Sequence, residues 1–421
     1  MLTLFIFAVV LGVLVTVHEF GHFLIAKWRK VRVETFSIGF GKKIVRIRRG
    51  ETEYCVSLIP LGGYVKLAGE HPEDERKGEQ WEFLSKSAAE RAAIVCAGPV
   101  FNYALGFALF WLVFFAGMPT LVPQVGGFLA TAEKSAVRAL IADPAAGEWA
   151  LFFEDPRAET LIFKENAPAL IEAAALPEDS KARLRALSLT PAQAAGMETG
   201  DRVRAVDGSV VRSWDDFTAA IKKKNTGRAV RLQVDRGGAR IELSVLPRVE
   251  TEKNVFGDSL TVGRIGVTAA DAFETVRYGF GESLRRAATQ VYRLTTQTYR
   301  AFFKMITGGI SAREQLLGPV GIYKFTGVIA QHGLMALLHW MGLLSVSLAI
   351  INLFPLPVLD GGHLLFLIIE QLRGRPLSVK AQEWAMKTGF AVLLMVGVFV
   401  FYNDLLRVRF FEGIAQFFQG R

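Results

Sequence analysis

The sequence predicts a polytopic α-helical membrane protein of about four spans, with a membrane-associated β-hairpin or small sheet and an inserted α+β region in water. Three observations carry that reading. Hydrophobic types make up 51% of the 421 residues, and the mean hydropathy is positive, at +0.30, so part of the chain belongs in lipid. The apolar residues collect in four runs, 2–26, 92–118, 334–354 and 388–402, which are read as spans. Between the second and third, residues 118–260 change to a charged, mixed composition long enough for one or two water-facing domains.

The first run contains H-E-F-G-H from His18 to His22. Two histidines one helical turn apart project from one face of a helix. Glu19 sits beside them, where a carboxylate can take a proton from a water on a metal. Such a cluster is costly in hydrocarbon and marks a functional site. The run resembles a signal peptide in position, but it lacks a basic start and carries ionisable residues where such a segment is purely apolar. His18 lies on the order of 24 Å along the helix from the start of the run, at 1.5 Å per residue.

Residues 45–67 alternate and turn near Gly50, with a second bend at 60–63, as short antiparallel strands do. A strand edge through Gly63, Tyr64 and Val65 is able to pair with an extended substrate; a purely structural hairpin is the plain alternative. Residues 71–80 are charged and aperiodic, as in a loop. Arg29, Lys30, Arg32, Lys42, Lys43, Arg46, Arg48 and Arg49 lie between the first two spans, and Arg373, Arg375, Lys380 and Lys387 between the last two. Both loops are therefore expected in the cytoplasm, with the N-terminus, the central region and the C-terminus outside, although Arg407 and Arg409 vote the other way. The expected metal then lies within the membrane, toward its cytoplasmic side. These loops account for the net charge of +9 without any nucleic acid. Cys55 and Cys96 lack metal-ligand spacing and are read as packing residues at different depths.

Within the central region, residues 190–246 read P-A-Q-A-A-G-M-E-T-G-D-R-V-R-A-V-D-G, then a helix near Trp214, then the strands A-V-R-L-Q-V and I-E-L-S-V. This order resembles the PDZ domains attached to bacterial proteases. One such domain is assigned to about 185–250, inside a region bounded at 118–262. Residues 122–131 either add a strand to it or begin a second, degenerate copy, and 132–188 match nothing. Residues 280–306 set Leu284, Val291, Leu294, Phe302 and Ile306 among five basic residues. That pattern is expected of a helix on the outer membrane surface, within a segment 263–332 that ends beyond L-L-G-P-V-G-I.

A catalytic zinc takes three protein ligands and leaves a fourth position for water, so a further ligand must come from elsewhere. The second membrane half, 333–421, contains N-L-F-P-L-P-V-L-D-G-G-H, where Pro355 and Pro357 interrupt a span. Irregular backbone at membrane depth is tolerated only when buried in protein or lining a cavity. Asp360 is the expected third ligand, with Gly361 and Gly362 allowing close backbone approach beside it, and His363 is the competing candidate.

With these residues in view, the chain resembles the site-2 proteases, M50-type intramembrane zinc metalloproteases, and within them the bacterial regulator-of-sigma-E branch. H-E-F-G-H, A-G-P-V-F-N at 97–102, the PDZ region and N-L-F-P-L-P-V-L-D-G-G follow the family's order over nearly the whole chain. The resemblance implies that His18, His22 and Asp360 bind Zn2+, that Glu19 is the general base, and that Asn352, Pro355 and Pro357 hold substrate. Asn102 is grouped with them, alongside Gly63, Tyr64 and Val65. It also implies a multi-pass protein of the bacterial inner membrane, with the PDZ region in the periplasm and the lipid bilayer around the spans. Its expected substrates are single-span membrane proteins of anti-sigma-factor type, cut after another protease has trimmed them. The branch often carries two clear PDZ domains, and only one is clear here. The rival function is a non-catalytic PDZ-bearing scaffold with a structural metal site, for which Glu19 has no use.

Overall fold

The computed structural model describes residues 2–70, 78–128, 137–143, 148–153, 190–224, 227–254 and 257–407. Most of the expected loop at 71–80 and most of 132–188 lie outside them. The chain divides into two compact units, one made of Met1–Gly117 with Arg277–Arg421 and one of Met118–Val276. Four helices among the described residues are long and apolar enough to cross a membrane, and all belong to the first unit.

Helix α1 (Leu2–Trp28) is the first of them. It is followed by β1 (Val33–Arg49) and β2 (Thr52–Leu67), joined by a turn with Gly50 at φ 62°. The hairpin therefore starts twelve residues before the expected 45. Its first half is flanked on both edges. Phe36, Ser37 and Ile38 partner Val65, Tyr64 and Gly63 on one side and Tyr54, Cys55 and Val56 on the other. The register breaks between the Phe40–Ile59 and Ile38–Gly63 partners, where the bend at 60–63 was expected. Each long strand thus folds back to make a small sheet that rests on α1 through Ala26, Val31, Val33 and Leu67. Toward the turn, exposed Val45 and Ile47 alternate with Arg46 and Arg48, an apolar row suited to a lipid surface.

Helix α2 (Ala88–Ala116) begins before its apolar run because Ser87 and Glu90 form a reciprocal cap. Ser87 Oγ accepts from the Glu90 amide at 3.3 Å, and Glu90 Oε2 accepts from the Ser87 amide at 3.1 Å.

In the second unit, β3 (Met118–Leu121) and β4 (Val125–Phe128) precede a hairpin of β5 (Val137–Asp143) and β6 (Glu148–Phe153). A four-stranded sheet follows in the order β10-β9-β7-β8, from β7 (Arg202–Val206), β8 (Ser209–Val210), β9 (Val230–Arg236) and β10 (Ala239–Val245). Between β8 and β9, α3 (Trp214–Lys222) is capped by Ser213, whose Oγ accepts from the Asp216 amide at 3.1 Å. Its Phe217 and Ile221 pack on Val203, Leu232, Val234 and Val245, and burying a side chain the size of Phe217 contributes about 2–3 kcal/mol. Then come β11 (Arg248–Lys253), β12 (Ser259–Arg264), β13 (Val267–Ala269) and β14 (Phe273–Val276).

Val125 joins this core and β4 pairs with β13, so the described residues of 122–131 contribute a strand to this unit. Strand β14 pairs with β3, which carries the unit to Val276, past the expected boundary at 262. Asp201, whose side chain is 0% exposed, is held by Arg236 at 2.7 Å. Burial alone would raise its pKa, but the Arg236 hydrogen bonds and charge and the Glu198 amide outweigh that and hold it below the usual aspartate value.

The first unit resumes with α4 (Phe280–Ile306), whose bounds match the expected amphipathic segment but whose setting differs. Instead of lying flat across the ends of the spans, α4 runs beside α2 in the opposite direction. Phe280 meets Trp111 edge-on at 5.5 Å, and Thr295 Oγ1 donates to the Tyr103 hydroxyl at 3.3 Å. Phe302 stacks on Phe354 at 4.2 Å. An apolar stripe on a helix is buried equally well by lipid or by neighbouring helices, and here Phe107, Phe110 and Phe354 take much of it.

Helix α5 (Pro319–Gln331) leans on α1 through Tyr323 and Phe7, 5.7 Å apart. Helix α6 (Leu334–Asn352) is the third candidate span. After the proline-broken loop, α7 (Asp360–Arg373) precedes the fourth, α8 (Val379–Arg407). Asp404 of α8 accepts the Gly321 amide at 2.8 Å and so caps the start of α5.

Candidate metal centre

The centre is assembled by α1, α2 and the start of α7. On α1, the one-turn spacing sets His18 and His22 on one face, with their Nε2 atoms 3.2 Å apart. Asp360, the first residue of α7, brings Oδ2 to 3.2 Å from His18 Nε2 and 3.7 Å from His22 Nε2. Zinc bonds of about 2.0–2.1 Å at tetrahedral angles separate ligand atoms by roughly 3.3–3.4 Å, so this triangle has the size that zinc requires. Asp360 Oδ2 is buried and has no hydrogen-bond partner, an orphan that a cation would satisfy. Three donors from protein leave the fourth position open.

Among the described residues, these three form the group able to hold a metal, and His363 stays outside it. His363 is exposed, with its ring 6.4 Å from Phe366. The expected close approach at the two glycines is present. A Cβ at Gly361 would run into the Leu353 and Phe354 carbonyls, and one at Gly362 into Leu356 and Pro357, so the start of α7 nests in the broken loop. At its far end α7 is tied to α2 by the Arg91–Glu370 ion pair.

Helix α2 forms the wall behind the histidines. The Ile94 carbonyl faces His22 Nδ1 at 2.9 Å, which sets the proton on Nδ1 and frees Nε2 for a metal. A Cβ at Gly98 would fall 2.7 Å from both His18 Cε1 and His22 Cε1, so only glycine lets α2 come this close. Neither contact was foreseen. Ile94 acts through its backbone and leaves no side-chain signal, whereas Gly98 stood in the A-G-P-V-F-N motif unread.

Glu19 is half-buried, in electrostatic contact with His22, His18 and Asp360 and with the Val65 backbone. Gly63 lies against it, its Cβ position 3.3 Å from Glu19 Cγ. The 63–65 edge of the sheet therefore runs past the carboxylate. Tyr64 stacks on Phe40, with ring centres 6.2 Å apart. Asn352, at the end of α6, brings its amide to 3.4 Å from His18 Nε2, while Pro355 is exposed in the loop that follows. Pro357 packs under α8, at 2.9 Å from a Cβ built on Gly389.

One expectation needs correction. Asn102, grouped with the substrate-holding residues, is 0% exposed and faces His18 Nδ1 at 3.3 Å, walled off from any peptide by the protein itself.

The chain is similar to known proteins over nearly its whole length. The model of peptidase family M50 matches residues 6–396. The regulator of sigma-E protease RseP of Escherichia coli is 34% identical, over 96% of this chain and 98% of its own length. Protease RseP of Yersinia pestis is 32% identical over the same shares. So is a provisionally named zinc metalloprotease of Neisseria meningitidis.

Proposed function

The chain belongs to peptidase family M50 and is a membrane metalloprotease, and from that premise we propose that it is a zinc endopeptidase cutting the membrane-spanning helices of single-span proteins. The observation that carries the proposal is the triangle of His18 and His22, on a candidate span, with Asp360 at the start of α7, and Glu19 beside it. In this reading His18 and His22 through Nε2 and Asp360 through Oδ2 would hold zinc. A zinc ion bound there supplies Lewis acidity, polarising a peptide carbonyl and lowering the pKa of water toward about 7.

The chain's own residues do the rest. Glu19 takes the proton of the attacking water and returns it to the leaving amine. The Gly63–Val65 edge offers main-chain partners to a substrate held extended, which matters because a substrate helix hides its peptide groups until it unwinds. Asn352 is placed to hydrogen-bond the same backbone from the other side, and Pro355 lines the approach. The bacterial relatives and the four apolar helices support an inner-membrane protein, and the loop-charge asymmetry supports an orientation with this site toward the cytoplasm and the second unit in the periplasm.

The second unit, with its four-stranded sheet, α3 and the A-G-M-E-T-G-D-R-V segment that leads into β7, fits a PDZ domain. By likeness to relatives named for sigma-E regulation, the proposed substrates are of anti-sigma-factor type, trimmed outside before they are cut within the membrane. The PDZ unit is proposed to turn away untrimmed ones.

The test is Glu19→Gln in the full-length protein, which removes the base and keeps every ligand. Cleavage of a model transmembrane substrate should fall by at least about 100-fold, the scale of general-base catalysis, with zinc content unchanged. Turnover at the unsubstituted rate refutes the assignment. Wild-type protein that holds zinc and cuts nothing favours a scaffold.

A further inference from the structure

A neutral imidazole carries one proton, and a metal ligand must carry it on the nitrogen away from the metal. His18 Nε2 points at Asp360 and at His22 Nε2, so the proton belongs on Nδ1 and needs a buried acceptor. His22 finds its acceptor in the Ile94 carbonyl. His18 has two asparagine amides near it instead.

The two amides are not equivalent. That of Asn352 lies 3.4 Å from Nε2 and 3.5 Å from Nδ1. An atom almost equidistant from two ring nitrogens whose lone pairs diverge is aimed at neither. That of Asn102 lies 3.3 Å from Nδ1 alone. Asn102 is fixed as well as buried, since its backbone carbonyl accepts from Ser345 Oγ of α6 at 2.8 Å.

An amide exchanges its oxygen and nitrogen by a half-turn about its last torsion. With Nδ2 toward the ring, Asn102 Oδ1 is buried without a partner and His18 Nδ1 must be bare, so the proton sits on Nε2 and blocks the metal. With Oδ1 toward the ring, the orphan gains a donor and Nε2 is freed.

We propose that Asn102 is the positioning residue for His18, its Oδ1 accepting from Nδ1–H so that the ring is locked in the tautomer that presents Nε2 to zinc. The proposal rests on His18 being a zinc ligand, as read above. It makes the two histidines unlike: His22 is set by backbone, which substitution leaves in place, and His18 by a side chain that can be removed.

The experiment measures zinc affinity of the purified full-length protein in detergent by competition with a chelator. Asn102→Leu deletes the acceptor at nearly constant volume and should weaken zinc by about 10–100-fold, the usual effect of losing a residue that orients a ligand. Asn102→Asp keeps an acceptor and should bind within about threefold of wild type. Nitrogen-15 spectra of histidine-labelled wild-type protein give a readout that needs no substitution, and should show His18 protonated at Nδ1. Wild-type affinity in Asn102→Leu, equal loss in the Leu and Asp variants, or a neutral His18 protonated at Nε2 overturns the proposal. If Asn102→Leu does not fold, the spectra decide. His18→Ala at wild-type affinity overturns the metal reading and this proposal together, whereas unimpaired Asn102 variants beside an impaired His18→Ala overturn this proposal alone.

Discussion

Gly98 is a residue at which two opposite rules compete. Glycine inside a helix costs about 1 kcal/mol relative to alanine, so Gly98→Ala should help α2 taken by itself. The added methyl would fall 2.7 Å from carbons of both imidazoles, with backbone on one side and ligands on the other. Overpacking of that kind costs about 1–3 kcal/mol, and here the strain is relieved by pushing the ligands apart. Gly98→Ala is therefore expected to lower zinc affinity by at least about 10-fold. Gly397→Ala on α8, where a Cβ meets nothing within 4 Å, should be neutral or raise the melting temperature. Chelator competition on both proteins checks this, and full zinc affinity in Gly98→Ala refutes it. The H-E-F-G-H part of the candidate centre was legible in sequence because His18, Glu19 and His22 are costly types in an apolar run, and Asp360 because it follows a proline-broken span. The tuning was not, since Ile94 uses its carbonyl, Gly98 the absence of a side chain, and Asn102 an amide that reads equally as a peptide contact.

The edge at 63–65 is the element on which substrate positioning turns. If the segment acts through main-chain hydrogen bonds, its side chains matter less than its amides. Proline at Tyr64 or Val65 removes a donor and should cut cleavage by about 10-fold or more, a loss of one charge-free hydrogen bond plus local distortion, while alanine at either site should cost much less. Asn352→Ala should slow cleavage with zinc retained, measured on the same transmembrane substrate. Equal rates for proline and alanine variants would leave the edge without a role. Sequence gave the hairpin by alternation but placed its start too late, because residues 33–44 mix apolar and polar types around Gly39 and Gly41, both at positive φ. It found the bounds of α4 from periodicity yet assigned its stripe to lipid, since a period says which face is apolar and not what covers it. Helix α7 went unread because D-G-G at its start looks like a turn, and the glycines are there to let the helix begin against the broken loop.

For the whole molecule, the proposed gate requires the second unit to be folded while the membrane unit works, and the Asp201–Arg236 pair offers a way to loosen one and spare the other. Asp201 is buried, joined to Arg236 through two hydrogen bonds of 2.7 Å, and its pKa is depressed. A group depressed in the folded state adds stability that is present above the unfolded value of about 4 and is lost as pH falls through the folded value. Loss of stability below about pH 4 should thus be traceable in part to this unit, and Asp201→Asn should lower its stability at neutral pH by about 2–3 kcal/mol while flattening that acid dependence. Limited proteolysis of the full-length protein between pH 3 and 7 reads both effects through cuts falling within 190–276. If the unit turns away substrates whose outer domains are intact, the same substitution, or deletion of 190–246, should speed cleavage of an untrimmed substrate and leave that of a trimmed one within about twofold, because both changes fall in the unit that holds none of the metal-centre residues. Loss of both cleavages would make the unit a requirement for folding, and an unchanged ratio between the two substrates, with the unit demonstrably loosened, would remove the gate.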